Sequence, residues 1–193
     1  MAAVQIPQTP ALPAAGKWAI DTTHTEAAFT ARHLMVTKVR GRFAVSAGVV
    51  TIAEDPLESS VEATLDVASV HSGEPGRDEH LLSADFFDVE HYPTITFAST
   101  AVRPLHDNSW ELVGDLTVRD TTKPVTLQVD FDGGGASPMG DERIGFSAAT
   151  DINREDFGLT WNVTLETGGL LVGKAVRIEL AVQAIAAAKA AVA

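Results

Sequence analysis

Cysteine is absent from the 193 residues. With it go disulfides, thiolate nucleophiles, zinc ribbons and iron–sulfur ligation. A chain of this length builds a core large enough to fold without such staples, so one domain is expected. Positive charge is also scarce: 14 Lys and Arg stand against 26 Asp and Glu, a formal net charge of −12. Phosphate binding needs a basic face, so nucleic acid is disfavoured as principal partner, and an anionic membrane surface is disfavoured for the same reason. Local patches of the opposite sign survive such a total. No run nears the ~20 apolar residues that span a bilayer, so no stable membrane insertion is expected.

The start of the chain, residues 1–16, carries no Lys or Arg and is interrupted by Pro7, Pro10 and Pro13. An export signal needs a basic start and an unbroken apolar stretch. The segment reads as a disordered leader on a cytoplasmic protein. Ala184 to Ala193 is of low complexity and reads as a fraying end or short helix. The domain proper is placed at 17–185, with 186–193 as an Ala-rich tail.

What is abundant is alternation with a period of two. Phe29, Ala31 and His33 alternate with polar neighbours, as do Phe43, Val45, Ala47 and Val49. The same holds for Val61 to Val67, for Ile95 and Phe97, and for Leu112, Leu116 and Val118. Val125 to Phe131, Ile144 to Ala148 and Val176 to Val182 complete the series. Such alternation marks strands with one buried and one wet face, hence an antiparallel sheet. About eight such segments between turn-rich connections indicate a barrel or sandwich. Asp107-Asn108, Asp132-Gly133-Gly134-Gly135 and Glu166-Thr167-Gly168-Gly169 carry the turn chemistry. Pro75 to Ala84 breaks the alternation and predicts one short helix, with proline in its first turn. Asn153 to Gly158 predicts a single helical turn stopped by glycine.

Candidates for chemistry are few. The six histidines lack metal-ligand spacing, although His24 and His33 could meet across a hairpin. No G-x-S-x-G elbow is present, and Gly133-Gly134-Gly135 is followed by Ala-Ser-Pro rather than by a helix, so it is read as a hairpin loop and not a phosphate cradle. Paired carboxylates such as Asp85/Asp88 are what an acidic surface produces. No catalytic residue, metal ligand or cofactor is assigned. His33 shares its face with Phe29 and Ala31, so an inward imidazole would need a partner, such as a ligand head group or rim water. Arg77 could hold an anionic head group, or pair internally with Asp78 or Asp85.

A set of motifs stands in order along the chain. Ala19-Ile-Asp21-Thr-Thr-His24 is followed by Phe29-x-x-Arg32-His33-Leu34-Met35-Val36, then by Val39-Arg-Gly41-Arg-Phe43. Gly76-Arg77-Asp78-Glu79-His80-Leu81, Asp85-Phe86-Phe87-Asp88 and Tyr92-Pro93-Thr-Ile-Thr-Phe97 form the most specific part. Gly114-Asp-Leu116, Thr122-Lys123-Pro124-Val125 and Asn153-Arg154-x-x-Phe157-Gly158 extend it to about Trp18–Ala184. In this order the motifs resemble the YceI-like family of lipid-binding proteins, with one departure at Arg119-Asp120, where the family tends to have glycine. The resemblance implies an all-β fold: an extended eight-stranded antiparallel lipocalin-like barrel with a short helix inserted between strands. It further implies non-enzymatic holding of a polyisoprenoid or similar long-chain amphiphilic lipid, often by a homodimer.

Ala31, Ala47, Ala63, Gly114 and Ala148 are small residues on inward faces, where larger ones would fill the space. The candidate ligand-binding residues are Phe29, Ala31, His33, Phe43, Leu81, Phe86, Phe97, Phe146, Phe157 and Trp161. Arg32, His33 and Arg77 are the head-group candidates. Ten buried methylenes at about 0.8 kcal/mol each give only modest affinity after the costs of association, so tight binding needs a longer tail or a head-group contact. A small metal- or His-dependent enzyme using His24 and His33 is the alternative reading. A packed barrel serving as an interaction module is the third.

Overall fold

The computed structural model describes residues 13–34, 36–106, 108–164 and 170–187. The nine strands are β1 (Gly16–Ile20), β2 (Glu26–His33), β3 (Thr37–Ile52), β4 (Ser60–His71), β5 (Thr94–His106), β6 (Ser109–Val118), β7 (Thr121–Ala136), β8 (Glu142–Asn153) and β9 (Val172–Ala186). One helix, α1 (Pro75–Leu82), lies between β4 and β5. All pairings are antiparallel and run β2-β9-β8-β7-β6-β5-β4-β3, with β3 returning to β2 to close the sheet. β1 pairs with the far ends of β3 and β9, at Trp18–Val50 and Trp18–Ala186. It therefore occupies the same barrel position as β2, and the two are halves of one interrupted strand. Nine strands thus make the expected eight-stranded closed barrel.

Local chemistry explains the exceptions to strand. Glu74 caps α1, its carboxylate accepting from the backbone N–H groups of Gly76 (3.1 Å) and Arg77 (2.6 Å), and Pro75 opens the first turn. After β8, Asn153 caps a 3-10 turn over Arg154–Phe157, and Gly158 ends it at φ 75°. Buried apolar side chains form two clusters rather than one. Trp18, Val45, Val50, Phe131 and Ile144 belong to the first, and Phe43, Val67, Ile95, Leu116 and Phe157 to the second.

Several expectations are corrected. Gly133-Gly134-Gly135 is not a hairpin loop: it continues β7 after a register shift between Phe131 and Gly133. The turn falls later, where Gly140 N–H bonds Ser137 carbonyl at 2.9 Å. A Cβ on Gly134 would lie 2.8 Å from the Arg143 carbonyl, so close strand approach is what requires glycine there. In β3 a register shift between Val45 and Ala47 inverts the alternation. Val50 is buried while Ala47 and Val49 are exposed, so Ala47 leaves the inward set. Ala184 is fully buried within β9, which runs through Ala186 instead of fraying. At the other terminus, Gly16 opens β1, and Ala14 carbonyl accepts from the Trp18 indole at 3.2 Å. Residues 1–12, the 166–169 turn and the chain beyond 187 lie outside the described residues.

Candidate ligand-binding site

The barrel encloses a cavity of about 490 Å³. Its wall is the inward set of alternating positions, among them Val125, Leu127 and Val129 on β7 and Val176, Ile178, Leu180 and Val182 on β9. At one end the lining residues Ala15, Glu54 and Ser60 are exposed, which makes that end the mouth. At the other end Phe86, Arg154, Phe157 and Leu159 line the cavity and are buried, so it is floored. α1 and the loop after it supply Leu81, Phe86 and Phe87 to this floor.

Space in the lumen comes from where the aromatic rings lie. A Cβ on Gly41 would overlap the Phe29 ring, and one on Gly114 would overlap the Phe97 ring. Phe29 faces Gly41 across the β2–β3 ladder, and Phe97 lies beside Gly114 across β5–β6. Each ring rests on the neighbouring strand's glycine, flat against the wall instead of projecting across the barrel. Gly114 is thus inward as expected, but the room it leaves is taken by Phe97. Ala31, Ala63 and Ala148 remain on the cavity wall with nothing larger in their place.

Of the ten ligand-binding candidates, Phe29, Ala31, Phe43, Leu81, Phe86, Phe97, Phe146 and Phe157 line the cavity, and His33 and Trp161 do not. His33 ends β2 and is half-buried beside the β2–β3 turn. Trp161 packs under the floor, with ring centroids 4.5 Å from His80 and 5.3 Å from Phe86. The head-group candidates Arg32 and Arg77 are also off the lining. Arg32 is exposed, because an even position of β2 points outward when Phe29 and Ala31 point in. Arg77 is committed to Ser72, its Nε donating to the hydroxyl at 2.7 Å and Nη2 to the carbonyl at 2.9 Å. Neither Asp78 nor Asp85 is its partner. Asp78 accepts from the Ser72 amide at 2.8 Å and from its hydroxyl, while Asp85 meets His80 at 3.0 Å. Burial pushes the Asp78 carboxyl up, but the Ser72 and His71 contacts outweigh it and hold the group below the usual carboxylate range.

Polar groups that do reach the lumen are Thr25, Glu54, Ser59 and Ser60 toward the mouth, and Thr150 and Arg154 within. Arg154, only 4% exposed, was not among the expected site residues. Its guanidinium donates to the carbonyls of Leu159, Trp161 (3.0 Å), Gly173 (3.0 Å) and Val172 (3.4 Å), and no carboxylate lies within 4 Å among the described residues. Burial lowers its pKa, yet four carbonyl dipoles keep the cation satisfied. It pins the 3-10 turn to β9 and so holds the floor in place. The Asn153-Arg154 pair in front of Phe157-Gly158 was the sequence signal for it.

His33 ends β2 and His24 precedes its first residue by two, so roughly 23 Å of extended strand separates them. They do not meet, and the shared site that the alternative reading required is not formed. His24 lies in the break between β1 and β2 with Nδ1 2.8 Å from Asp21. Asp21 also accepts from Thr23 N–H (3.0 Å) and Thr23 hydroxyl (2.6 Å), from Arg143 (2.8 Å) and from Gln183 (3.2 Å). The Thr23 hydroxyl, followed by His24, holds the Asp21 carboxyl far below the ordinary range. This network staples the strand break to β8 and β9. Among the described residues no group of three or more His, Asp and Glu is placed to hold a metal ion.

A sequence model of the YceI-like domain matches residues 18–184, nearly the whole described barrel. The chain belongs to the YceI-like family. A UPF0312 protein of Staphylococcus aureus is 35% identical over 161 residues, covering 82% of this chain and 91% of its own length. A UPF0312 protein of Pseudomonas putida is 44% identical over 104 residues, and there the match spans 54% of either chain. Among solved structures, Burkholderia cenocepacia BcnA superposes with a TM-score of 0.72 at 23% identity, covering 85% of this chain and 98% of its own. A Campylobacter jejuni YCEI protein gives 0.66 at 28% identity, covering 81% and 90%. A polyisoprenoid binding domain from Saccharophagus degradans, implicated in plant cell wall breakdown, gives 0.65 at 14% identity, covering 90% and 100%. The YceI-like fold is common to all of these barrels, with the aromatic and glycine positions described above placed on it by this chain's own sequence.

Proposed function

We propose that this YceI-like protein binds, stores or transports a polyisoprenoid or similar long-chain amphiphilic lipid inside its barrel, without catalysis. The observation that carries the reading is the floored cavity of about 490 Å³, walled by aliphatic and aromatic side chains with its polar groups gathered mainly at one mouth. Its size falls in the range of small-molecule sites. A slender chain suits a lumen of eight strands, which is too narrow for a broad ligand. The polyisoprenoid-binding domain with the same fold supports the lipid class. Mouth polarity suits the head group of an amphiphile whose tail lies inward, so Thr25, Glu54 and Ser60 replace Arg32, His33 and Arg77 as the head-group residues.

Solvent extraction of the purified full chain, followed by mass spectrometry, tests the proposal. A reproducible amphiphile near one per chain is expected. No co-purified amphiphile, together with no uptake of a polyprenyl alcohol by the extracted protein, would overturn it.

A further inference from the structure

The turn between β2 and β3 concentrates features that cost stability and that the barrel does not need. Arg32 and Lys38 are direct cross-strand partners, with Arg40 opposite Thr30 and Arg42 opposite Ala28. All four are exposed. Like charges directly opposite on a ladder repel, and among the described residues none of the four has a carboxylate within 4 Å. This is the reverse of what a chain of net charge −12 would place there by default. The neighbouring cations Lys174 and Arg177 on β9 are already paired, with Glu155 and Asp151.

Apolar side chains project from the tip of the same turn. Val36 is 78% exposed and Leu34 is 41% exposed. Leu34 sits at φ 54°, a left-handed conformation that a leucine adopts only at a cost. Both residues are hydrogen-bonded: Leu34 N–H bonds Leu171 carbonyl at 2.8 Å and Val36 N–H bonds His33 carbonyl at 3.0 Å. Behind it, Arg40, Arg42 and His71 line a shallow depression on the outer wall, with Glu26 and Glu179 on its far side. Exposed apolar side chains beside cations that have no carboxylate partner among the described residues match a lipid head-group layer: phosphates outside, hydrocarbon just below.

We propose that this turn is a peripheral docking site for an anionic bilayer surface, with Leu34 and Val36 entering the head-group layer and Arg32, Lys38, Arg40 and Arg42 meeting phosphates. A polyanion such as nucleic acid gains nothing from the exposed valine and leucine. A second copy of the chain needs a larger apolar patch than the two exposed apolar side chains among the described residues of this turn provide. The acidic remainder does not cancel the patch. Glu179 shares a rung with Arg42, with Ala28 between them, and lies two ladder rungs or roughly 13 Å from the Arg32–Lys38 pair. Glu26 is a further rung away, and the screening length at physiological salt is about 8 Å. The turn is at the floored end of the barrel, so docking holds the protein at a membrane with its mouth turned away. The proposal stands on the outer surface alone and is independent of what the lumen holds.

The test is co-sedimentation of the full chain with phosphatidylcholine vesicles, with and without phosphatidylglycerol, at low and physiological salt. The wild type is expected to partition onto the anionic vesicles only, and less so as salt rises. Arg32→Gln with Lys38→Gln removes two charges at about fivefold each, so partitioning falls roughly 25-fold. Val36→Ser, at an exposed position, weakens binding severalfold at both salt concentrations. Lys123→Gln, which removes one charge from exposed β7 and would cost about fivefold if net charge alone mattered, leaves it unaltered. Absence of binding, equal binding to neutral vesicles, or an equal loss in Lys123→Gln overturns the proposal. So does unchanged vesicle binding in Val36→Ser with strong heparin binding, which marks a general polyanion patch. Self-association abolished by the double variant, without vesicle binding, assigns the surface to a second copy and overturns it as well.

Discussion

Ala148→Leu reads the state of the lumen by the sign of its effect. Ala148 lies on the cavity wall in β8, between Val129 and Leu180 on the adjoining strands. The substitution adds three carbons. If they enter empty space, each gains about 0.8 kcal/mol, a gross gain near 2.4 kcal/mol. Ordering the leucine side chain takes back ~0.5–1 kcal/mol, leaving a net stabilisation of about 1.5 kcal/mol. In a packed barrel the same carbons would force neighbours off their rotamers and cost ~1–3 kcal/mol. The two states thus predict opposite signs, separated by ~2.5 kcal/mol or more, well outside the error of a denaturant titration. The same leucine removes room for about three ligand methylenes, which weakens a polyprenyl probe by roughly 50-fold. Urea unfolding of delipidated protein gives the first quantity and probe titration the second. A variant destabilised by more than ~1 kcal/mol that binds the probe like the wild type would refute the hollow-lumen reasoning.

Arg154→Met leaves the carbonyls of Leu159, Trp161, Val172 and Gly173 without their donor, and urea unfolding is expected to show a loss of about 3–5 kcal/mol. Gly114→Ala sets a Cβ 2.7 Å from the Ala98 carbonyl and against the Phe97 ring, for a loss of about 1–3 kcal/mol. Adding Phe97→Leu frees the ring side and recovers part of that loss in the same assay. Asp21, Asp78 and Asp141 all have carboxyls held below their ordinary range, in Asp141 by the Ser137 hydroxyl first. Depressed folded-state values mean stability that is fully present above pH ~4 and drains away as pH falls below it, visible as an acid-side drop in the thermal midpoint. Asp21→Asn flattens part of that drop. His91 is raised by its bond to Asp88, so the opposite sign applies there: its small contribution is present below pH ~6.5 and is lost as pH rises further.

Alternation carried most of the architecture, because burial on one face of a strand is written at every second residue. Val125, Leu127 and Val129 or Val176, Ile178 and Leu180 place the wall without further information. It failed where a single bulge changes the phase. Nothing local in Val45-Ser46-Ala47 announces the register shift that exposes Ala47 and Val49. Turn chemistry misled at Gly133 to Gly135, since glycine serves close strand approach as well as turns, and the pairing with β8 decides between them. Eight of the ten ligand-binding candidates line the cavity because they are apolar at inward positions. The charged candidates fared otherwise for a physical reason. A cation's partner is set by tertiary contacts, and Arg77 is used by Ser72 while Arg154 is used by four carbonyls. The departure at Arg119 is likewise resolved in three dimensions. Arg119, and not Asp120, takes the left-handed conformation at φ 56°. Its guanidinium lies 5.5 Å from the Tyr92 ring centre and donates to the Phe86 carbonyl at 3.2 Å, contacts that glycine could not make.

Calorimetric titration of the delipidated full chain with a polyprenyl alcohol tests the central claim most directly. Saturable binding of one molecule per chain is expected, with a negative heat-capacity change from burial of the tail and loss of binding in Ala148→Leu. Heats no larger than dilution, or non-saturating partitioning unaffected by Ala148→Leu, would contradict a lipid-holding lumen.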